Sequence, residues 1–142
     1  MIEFEVAGVP VPQGSKTAFV VGRRAVITDQ NAKVLKPWRT AVAEAAQYAA
    51  FGRTEELLPL RKAQAALDVD LVFLLPRPAS VKRSWPSVSP DIDKLARSVL
   101  DGLTASGLIR DDSQIVRLVA LKRYSDRPGA VVKVGLMAEE EN

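Results

Sequence analysis

The chain has 142 residues, of which 47% are hydrophobic and 26% are charged, and these are the proportions of an ordinary globular protein. It contains neither His nor Cys, which excludes disulfides, zinc sites built on those residues and His-dependent catalytic triads. Any metal must therefore be held by oxygen ligands, which suit Mg²⁺ or Mn²⁺. The net charge of the chain is a mild +3.

Nothing in the sequence indicates a membrane protein, an exported protein or a second domain. No apolar run reaches the roughly 18 residues of a membrane span, and the first residues lack the basic start of a signal peptide. We therefore expect a cytoplasmic chain with no membrane partner and a single domain over residues 1–142. The loop from Gln13 to Lys16 lacks the second glycine of a P-loop, and no small-molecule cofactor is expected.

The N-terminal part predicts a strand and a hairpin. Residues 2–9 alternate apolar and acidic side chains, as a half-buried strand does. Residues 17–21 and 25–28 predict two short strands that turn at Gly22. Cations around this hairpin would contact DNA phosphates, although an ordinary charged turn is an equally good interpretation. These cations are Lys16, Arg23 and Arg24.

A helix is predicted over residues 37–51, with Pro37 in the first helical position and Gly52 after its end. Its Ala-rich face begins with Trp38 and favours burial in the core, with packing against a second copy as the alternative. Residues 54–64 are polar and contain a proline, so they predict a connector with at most a short helix.

The strongest predicted strand covers residues 66–75, where apolar side chains alternate with Asp68 and Asp70. Two acids one residue apart are a candidate pair of metal ligands. However, alternation alone places both carboxylates on the solvent face of the strand, and we favour that interpretation.

A long loop is predicted over residues 76–90, because its four prolines exclude a helix or a central strand. Loops of this length in compact domains are usually functional or disordered. Lys82 and Arg83 in this loop would contact DNA. Trp85 would stack on a base, or in the alternative interpretation would cover the core.

A second helix is predicted over residues 92–105, with Asp91 as its N-cap and Gly107 after its end. Asp93 falls in the first turn, where the helix dipole favours a negative charge. The predicted buried stripe of this helix consists of Ile92, Leu95, Ala96, Val99, Leu100 and Leu103.

Residues 115–124 and 130–137 predict two strands joined by a turn, as a C-terminal hairpin of the sheet. Together the elements predict an α/β (α+β) fold class, with a small mixed sheet and hairpins packed against two main helices.

Two acidic pairs flank the second helix, Asp91 with Asp93 before it and Asp111 with Asp112 after it. Such carboxylates hold Mg²⁺ in phosphodiesterases, where the ion makes a water more acidic. Helix capping explains the first pair without a metal, and the residues alone leave the two interpretations even. The helix would be about 21 Å long, so the second pair must return along an extended segment or come from another subunit.

Two interpretations compete with a DNA phosphodiesterase. A basic surface around an acidic pocket suits DNA cleavage, but charge alone favours a solvated mixed surface. The spacing of Asp91 and Asp93 also occurs in the aspartyl-phosphate motif of haloacid dehalogenases. That motif follows a hydrophobic strand, whereas here Ser87 to Pro90 precede it, and we discount this interpretation.

Three consecutive motifs carry a family resemblance. They are Pro90-Asp91-x-Asp93-Lys94-Leu95, Leu100-Asp101-Gly102-Leu103-Thr104 and Asp111-Asp112-Ser113-Gln114-Ile115-Val116, with Lys122 beyond them. Without a gap from Asp91 to Val116, the chain resembles the RusA family of Holliday-junction resolvases of bacteria and phages. The opening Gly8-x-Pro10-x-Pro12-Gln13-Gly14 is similar to the first strand and loop of that family.

The resemblance implies a small homodimer that cuts four-way or otherwise branched DNA by paired symmetric nicks. It implies Mg²⁺ as the cofactor, with Mn²⁺ as a possible substitute. The essential acids of the family fall on Asp91, Asp93 and Asp112, with Asp111 as an auxiliary metal ligand.

The catalytic lysine of the family falls on Arg97, and Lys94 is a nearby cation closer to the helix start. Arginine binds a phosphate bidentately and stabilises developing charge, but its pKa is too high for proton donation. A general branched-DNA or flap nuclease and a catalytically impaired junction-binding module are the alternatives, and the second of these depends on Arg97 alone.

Overall fold

The structure, a computed structural model, describes residues 1–14, 16–22, 24–29 and 32–140, and for residues 16–21 and 24–29 it describes the backbone. Ten elements follow one another within these described residues. They are β1 (Ile2–Ala7), β2 (Lys16–Val21), β3 (Arg24–Asp29), α1 (Ala32–Ala50), α2 (Thr54–Leu60), β4 (Leu67–Leu75), α3 (Ile92–Ser106), a 3₁₀ turn (Asp112–Gln114), β5 (Ile115–Tyr124) and β6 (Gly129–Leu136).

Four strands form a mixed sheet in the order β1-β6-β4-β5, and β2 pairs with β3 in a separate hairpin. The mixed sheet and the first hairpin were both predicted and are confirmed. The predicted hairpin of the last two strands is wrong, because β4 lies between them, parallel to β5 and antiparallel to β6. The residues of β4 alternate between buried and half-buried along its whole length, whereas every second residue of the edge strand β1 is exposed. The neighbours that β4 has on both sides account for this difference. The link after β5 crosses the end of β4, where the Ser125 N–H donates to the Leu75 carbonyl at 2.9 Å.

Helix α1 begins at Ala32, so Pro37 lies inside the helix and the predicted start is wrong. Proline removes one helical hydrogen bond, but the apolar stripe already begins at Leu35, upstream of the proline, and its burial favours an earlier start. The predicted burial of this face is confirmed. The buried residues of α1 are Leu35, Trp38, Val42, Ala46 and Ala50.

Helix α3 packs against α1 and closes with Gly107 in the left-handed conformation, at φ +79°. Its predicted stripe is buried or half-buried with one correction: Ile92 is 37% exposed. Helical side chains point towards the N-terminus, so a first-turn residue points past the helix end. Ser98 is buried. Its hydroxyl is hydrogen-bonded there, because it accepts from the Trp38 indole at 3.2 Å and donates to the Leu95 carbonyl at 2.9 Å.

The loop over residues 76–90 contains no helix or strand among its described residues, as predicted. Trp85 in this loop is 55% exposed, and the interpretation that it covers the core is wrong, because the adjacent Pro86 is buried in its place. Residues 54–60 form the short helix α2. Within the described part of the chain, no helix is long and apolar enough to cross a membrane.

Candidate active site

The carboxylate of Asp91 stands at the start of α3 and is not used for capping. Asp91 is the N-cap residue, but within the described residues its side chain makes no capping hydrogen bond. It lies 3.5 Å from the ammonium of Lys94. Asp93, in the first turn, is exposed to solvent. Capping therefore leaves both carboxylates available to a ligand, which removes the main objection to a metal site.

Lys122 fixes the loop that leads into Asp91. Its ammonium donates to the carbonyls of Val88 and Pro90, at 2.7 Å and 2.8 Å. The Ser89–Pro90 peptide bond between these carbonyls is cis. Hydrogen bonds from a charged donor are about twice as strong as neutral ones. The end of β5 thereby determines where α3 begins, and sequence reasoning gave Lys122 no such role.

Gln13 clamps the connection after β1 onto α3. Its backbone N–H donates to the Lys94 carbonyl at 2.9 Å. Its side-chain amide donates to the carboxylate of Asp101 and accepts from the Arg39 guanidinium, the latter at 3.3 Å. Sequence reasoning missed this clamp, although Gln13 stood in the opening motif. The clamp holds a loop from the N-terminal part of the chain beside the first three turns of α3.

Arg97 is exposed in the second turn of α3. Gly14, at φ +111°, lies against it, and a Cβ atom there would come within 3.2 Å of its guanidinium nitrogen. Asp101, one turn further on, is engaged by Gln13 and Arg39. No ion pair of Arg97 is found among the described residues. Its guanidinium is therefore available to an anionic ligand such as a DNA phosphate.

The second acidic pair lies beyond the other end of α3. The side chain of Gln114 accepts from the N–H groups of Arg110 and Asp111, at 3.0 Å and 3.1 Å. The Ser113 hydroxyl donates to the Asp111 carboxylate, and this hydrogen bond holds the pKa of Asp111 below its usual value. Asp112 is exposed. This turn thus presents two carboxylates on a fixed backbone, and the pKa of the first of them, Asp111, is lowered.

The two acidic pairs do not meet within one chain. The strand β5 starts directly after the turn with Asp112, and Lys122, beside Asp91, lies near its end. Residues 115–122 span roughly 23 Å in an extended strand. Among the described residues, no three acidic side chains form a group that could hold a metal ion. Within one chain, Asp112 therefore lies far from Asp91 and Asp93 at the start of α3.

The other acidic pair, on β4, has a structural partner. The Arg117 guanidinium lies 2.8 Å from the Asp68 carboxylate and 3.4 Å from that of Asp70. The hydrogen bond and the negative charge of Asp68 raise the pKa of Arg117. These acids lie on the face of the sheet opposite the helices, so the favoured interpretation of a solvent-facing pair is confirmed.

The predicted DNA contacts occupy different places. Lys94 lies at the site, Lys82 is exposed on the long loop, and Arg83 donates to the Tyr124 hydroxyl at 3.0 Å. Arg23 lies outside the described residues, as do the side chains of Lys16 and Arg24.

A comparison with protein families gives one match over most of the chain. The family model described as Endodeoxyribonuclease RusA covers residues 7–135. That span includes the clamp of Gln13, both acidic pairs and Lys122. The comparison with curated proteins returns no match. Because this family model covers most of the chain, including the residues at both ends of α3, the chain belongs to the RusA family of endodeoxyribonucleases, the metal-dependent resolvases of Holliday junctions.

Proposed function

We propose that the chain works as a homodimer that cuts four-way junctions by paired symmetric nicks. Each site would use Mg²⁺, or Mn²⁺ in its place, held by Asp91 and Asp93 of one copy and by Asp112 of the other. The observation that carries this proposal is the placement of the two acidic pairs at opposite ends of α3. Residues 1–142 would form one domain, and the DNA substrate favours a cytoplasmic location.

The donor set fits a hard divalent cation. Asp91 is free of a capping bond, Asp93 and Asp112 are exposed, and Asp111, whose pKa is lowered, would be an auxiliary ligand. Magnesium takes a few carboxylates of this kind and keeps several waters. When bound, it would stabilise charge on the phosphate and make a nearby water more acidic.

Side chains around the acids would position the DNA. Arg97, beside Gly14, would contact the scissile phosphate and stabilise the charge that develops on it. Lys94 lies close enough to Asp91 to offset part of its negative charge. The remaining predicted cations, which are Lys16, Arg23, Arg24, Lys82 and Arg83, would contact the arms of the junction.

The edge strand β5 is the surface that favours a dimer. Four of its apolar residues are between 40% and 62% exposed, namely Val116, Leu118, Val119 and Leu121. The opposite edge of the sheet, β1, instead exposes Glu3 and Glu5, which discourage pairing. A long apolar edge is a site for pairing with another strand. We infer that a second copy continues the sheet at β5.

Antiparallel pairing of β5 with its copy would complete both sites. In such a pair, the start of each strand lies beside the end of the other. Asp112 of one copy would therefore approach the end where Lys122 holds the loop of Asp91 in the other. A two-fold axis generates both sites by the same contacts, and a four-way junction has a matching approximate two-fold symmetry.

The substrate preference can be tested with three synthetic DNAs: a four-way junction, a flap and a plain duplex. In Mg²⁺ we expect the junction to be cut at least about a hundredfold faster than the others, and chelation of the metal to stop cutting. Equal cutting of the flap would favour the general branched-DNA nuclease. Binding of the junction without cutting in Mg²⁺ or Mn²⁺ would indicate the impaired junction-binding module.

The proposed interface predicts that Leu118→Glu dissociates the dimer. The change places two carboxylates near each other in an apolar seam, and we expect the dimer Kd to rise by about a hundredfold or more. Analytical ultracentrifugation measures the shift. Leu58→Glu is the matched control, because Leu58 is 58% exposed on α2, and it should leave the dimer intact. A Leu118→Glu protein that dimerises as tightly as the wild type would exclude this interface.

A further inference from the structure

A groove beside Asp91 has no role in the proposed chemistry, yet it has the size of a ligand site. Its volume is about 750 Å³, within the range of sites that hold small molecules. Asp91, Lys94 and Tyr124 contribute to its walls. We call it the proline groove, after six of its lining residues: Pro10, Pro12, Pro76, Pro78, Pro86 and Pro90.

The lining favours a flat apolar group. Proline rings and the side chains of Leu75 and Val88 form much of the surface. Prolines have a fixed φ and no N–H donor, so this part of the lining is rigid, and the polar groups of the groove come from other residues such as Arg83 and Tyr124. A preformed site loses little conformational entropy when a ligand binds. Nucleobases stack on aromatic side chains, because each base has two flat faces, and Tyr124 supplies such a ring in the groove.

One aromatic ring in the groove is held from two sides. The Tyr124 hydroxyl accepts from the Nε of Arg83 at 3.0 Å, and the Arg77 guanidinium lies 5.5 Å from the centre of the ring. Such a cation over an aromatic face stabilises the ring in its position. A guanidinium has five N–H donors, so Arg83 retains donors for the carbonyl or ring nitrogen of a bound base.

We propose that the proline groove binds one unstacked nucleobase next to the scissile phosphate, and this inference rests on the proposed function. Asp91 and Lys94 belong both to the groove and to the candidate active site. A base in the groove would therefore keep its own phosphate near the acids. The cations Arg83 and Lys94 favour an anionic nucleotide over a neutral ligand. Unstacking is least costly for a base that is already poorly paired, as at the crossover of a junction.

Abasic nucleotides provide the direct test. Junctions that lack a single base are made for each position flanking the scissile phosphate, and single-turnover cleavage is measured. For the wild type we expect one position at which loss of the base slows cleavage by roughly tenfold or more. Val88→Trp, which fills the groove, should slow cleavage of the intact junction by a similar factor. The same abasic change should have no further effect on that variant.

Two further variants keep the test decisive. Leu58→Trp places the same large side chain on exposed α2, away from the groove, and should cut both junctions as the wild type does. Arg83→Gln tests the groove without filling it, and it should change the preference among the four bases at the sensitive position. This exposed substitution provides the answer if Val88→Trp does not fold, as judged by circular dichroism.

Three results would overturn the proposal. The first is wild-type cleavage that is insensitive to base loss at every position. The second is a folded Val88→Trp protein that remains as sensitive to base loss as the wild type. The third is an unchanged base preference in Arg83→Gln. Failure of the proposed function itself would look different, since the wild type would then not cut the intact junction in Mg²⁺.

Discussion

Asp91→Asn is expected to lower the rate of junction cleavage by at least a hundredfold while binding of the junction is retained. Even partners of metal ligands that do not touch the ion cost about 10- to 100-fold when they are removed, and Asp91 is proposed to be a ligand itself. Binding should persist, because loss of a carboxylate reduces repulsion of the DNA phosphates. Cleavage is measured in single turnover and binding by gel shift in Ca²⁺.

The matched control for this substitution is Asp68→Asn. Asp68 is also an acid followed two residues later by another, but it pairs with Arg117 at 2.8 Å on the far face of the sheet. Its variant should cut at close to the wild-type rate. An Asp91→Asn protein with full activity would remove Asp91 from the metal site.

Mixing two inactive variants is expected to restore activity. In a dimer of Asp91→Asn with Asp112→Asn, both substitutions fall on one shared site, and the other site keeps Asp91 from one copy and Asp112 from the other. Random exchange makes half of the dimers mixed, each with one intact site of two, so about a quarter of wild-type nicking should return. The product should be a single nick rather than a resolved junction.

The outcome of mixing separates the two arrangements of the acids. If Asp91 and Asp112 acted within one chain, every site in the mixture would carry a defect and no activity would return. Mixing Asp91→Asn with Asp93→Asn is the control. Both of those residues are proposed to come from the same copy, so that mixture should stay inactive under either arrangement.

Local patterns predicted the elements of the fold well. The alternation along β4 and the apolar stripe of α3 depend on residues a few positions apart, and both are confirmed. Strand order was not predicted correctly. The short link after β5 favoured a hairpin, whereas β4 pairs with both β5 and β6 and lies between them. Such a competition between a local turn and a long-range pairing is not visible in the sequence pattern.

The residues of the candidate site were predictable from the sequence, but their relative positions were not. The family motifs named the acids and the position of Arg97, but they contain no distances between them. The clamp of Gln13 on Asp101 joins residues 88 positions apart, and neither periodicity nor spacing indicates such a contact. The location of Asp112 also required the structure, because it depends on the direction in which β5 leaves α3.

The length of β5 has a consequence for the geometry of cutting. In the proposed dimer, one site lies near each end of the paired β5 strands, so the length of the strand determines the distance between the two metal centres. Residues 115–122 give a distance of roughly 23 Å, which is comparable to the width of a DNA duplex. The spacing of the two nicks would then be set by the backbone of one strand, and the mixed-dimer experiment tests the arrangement from which this follows.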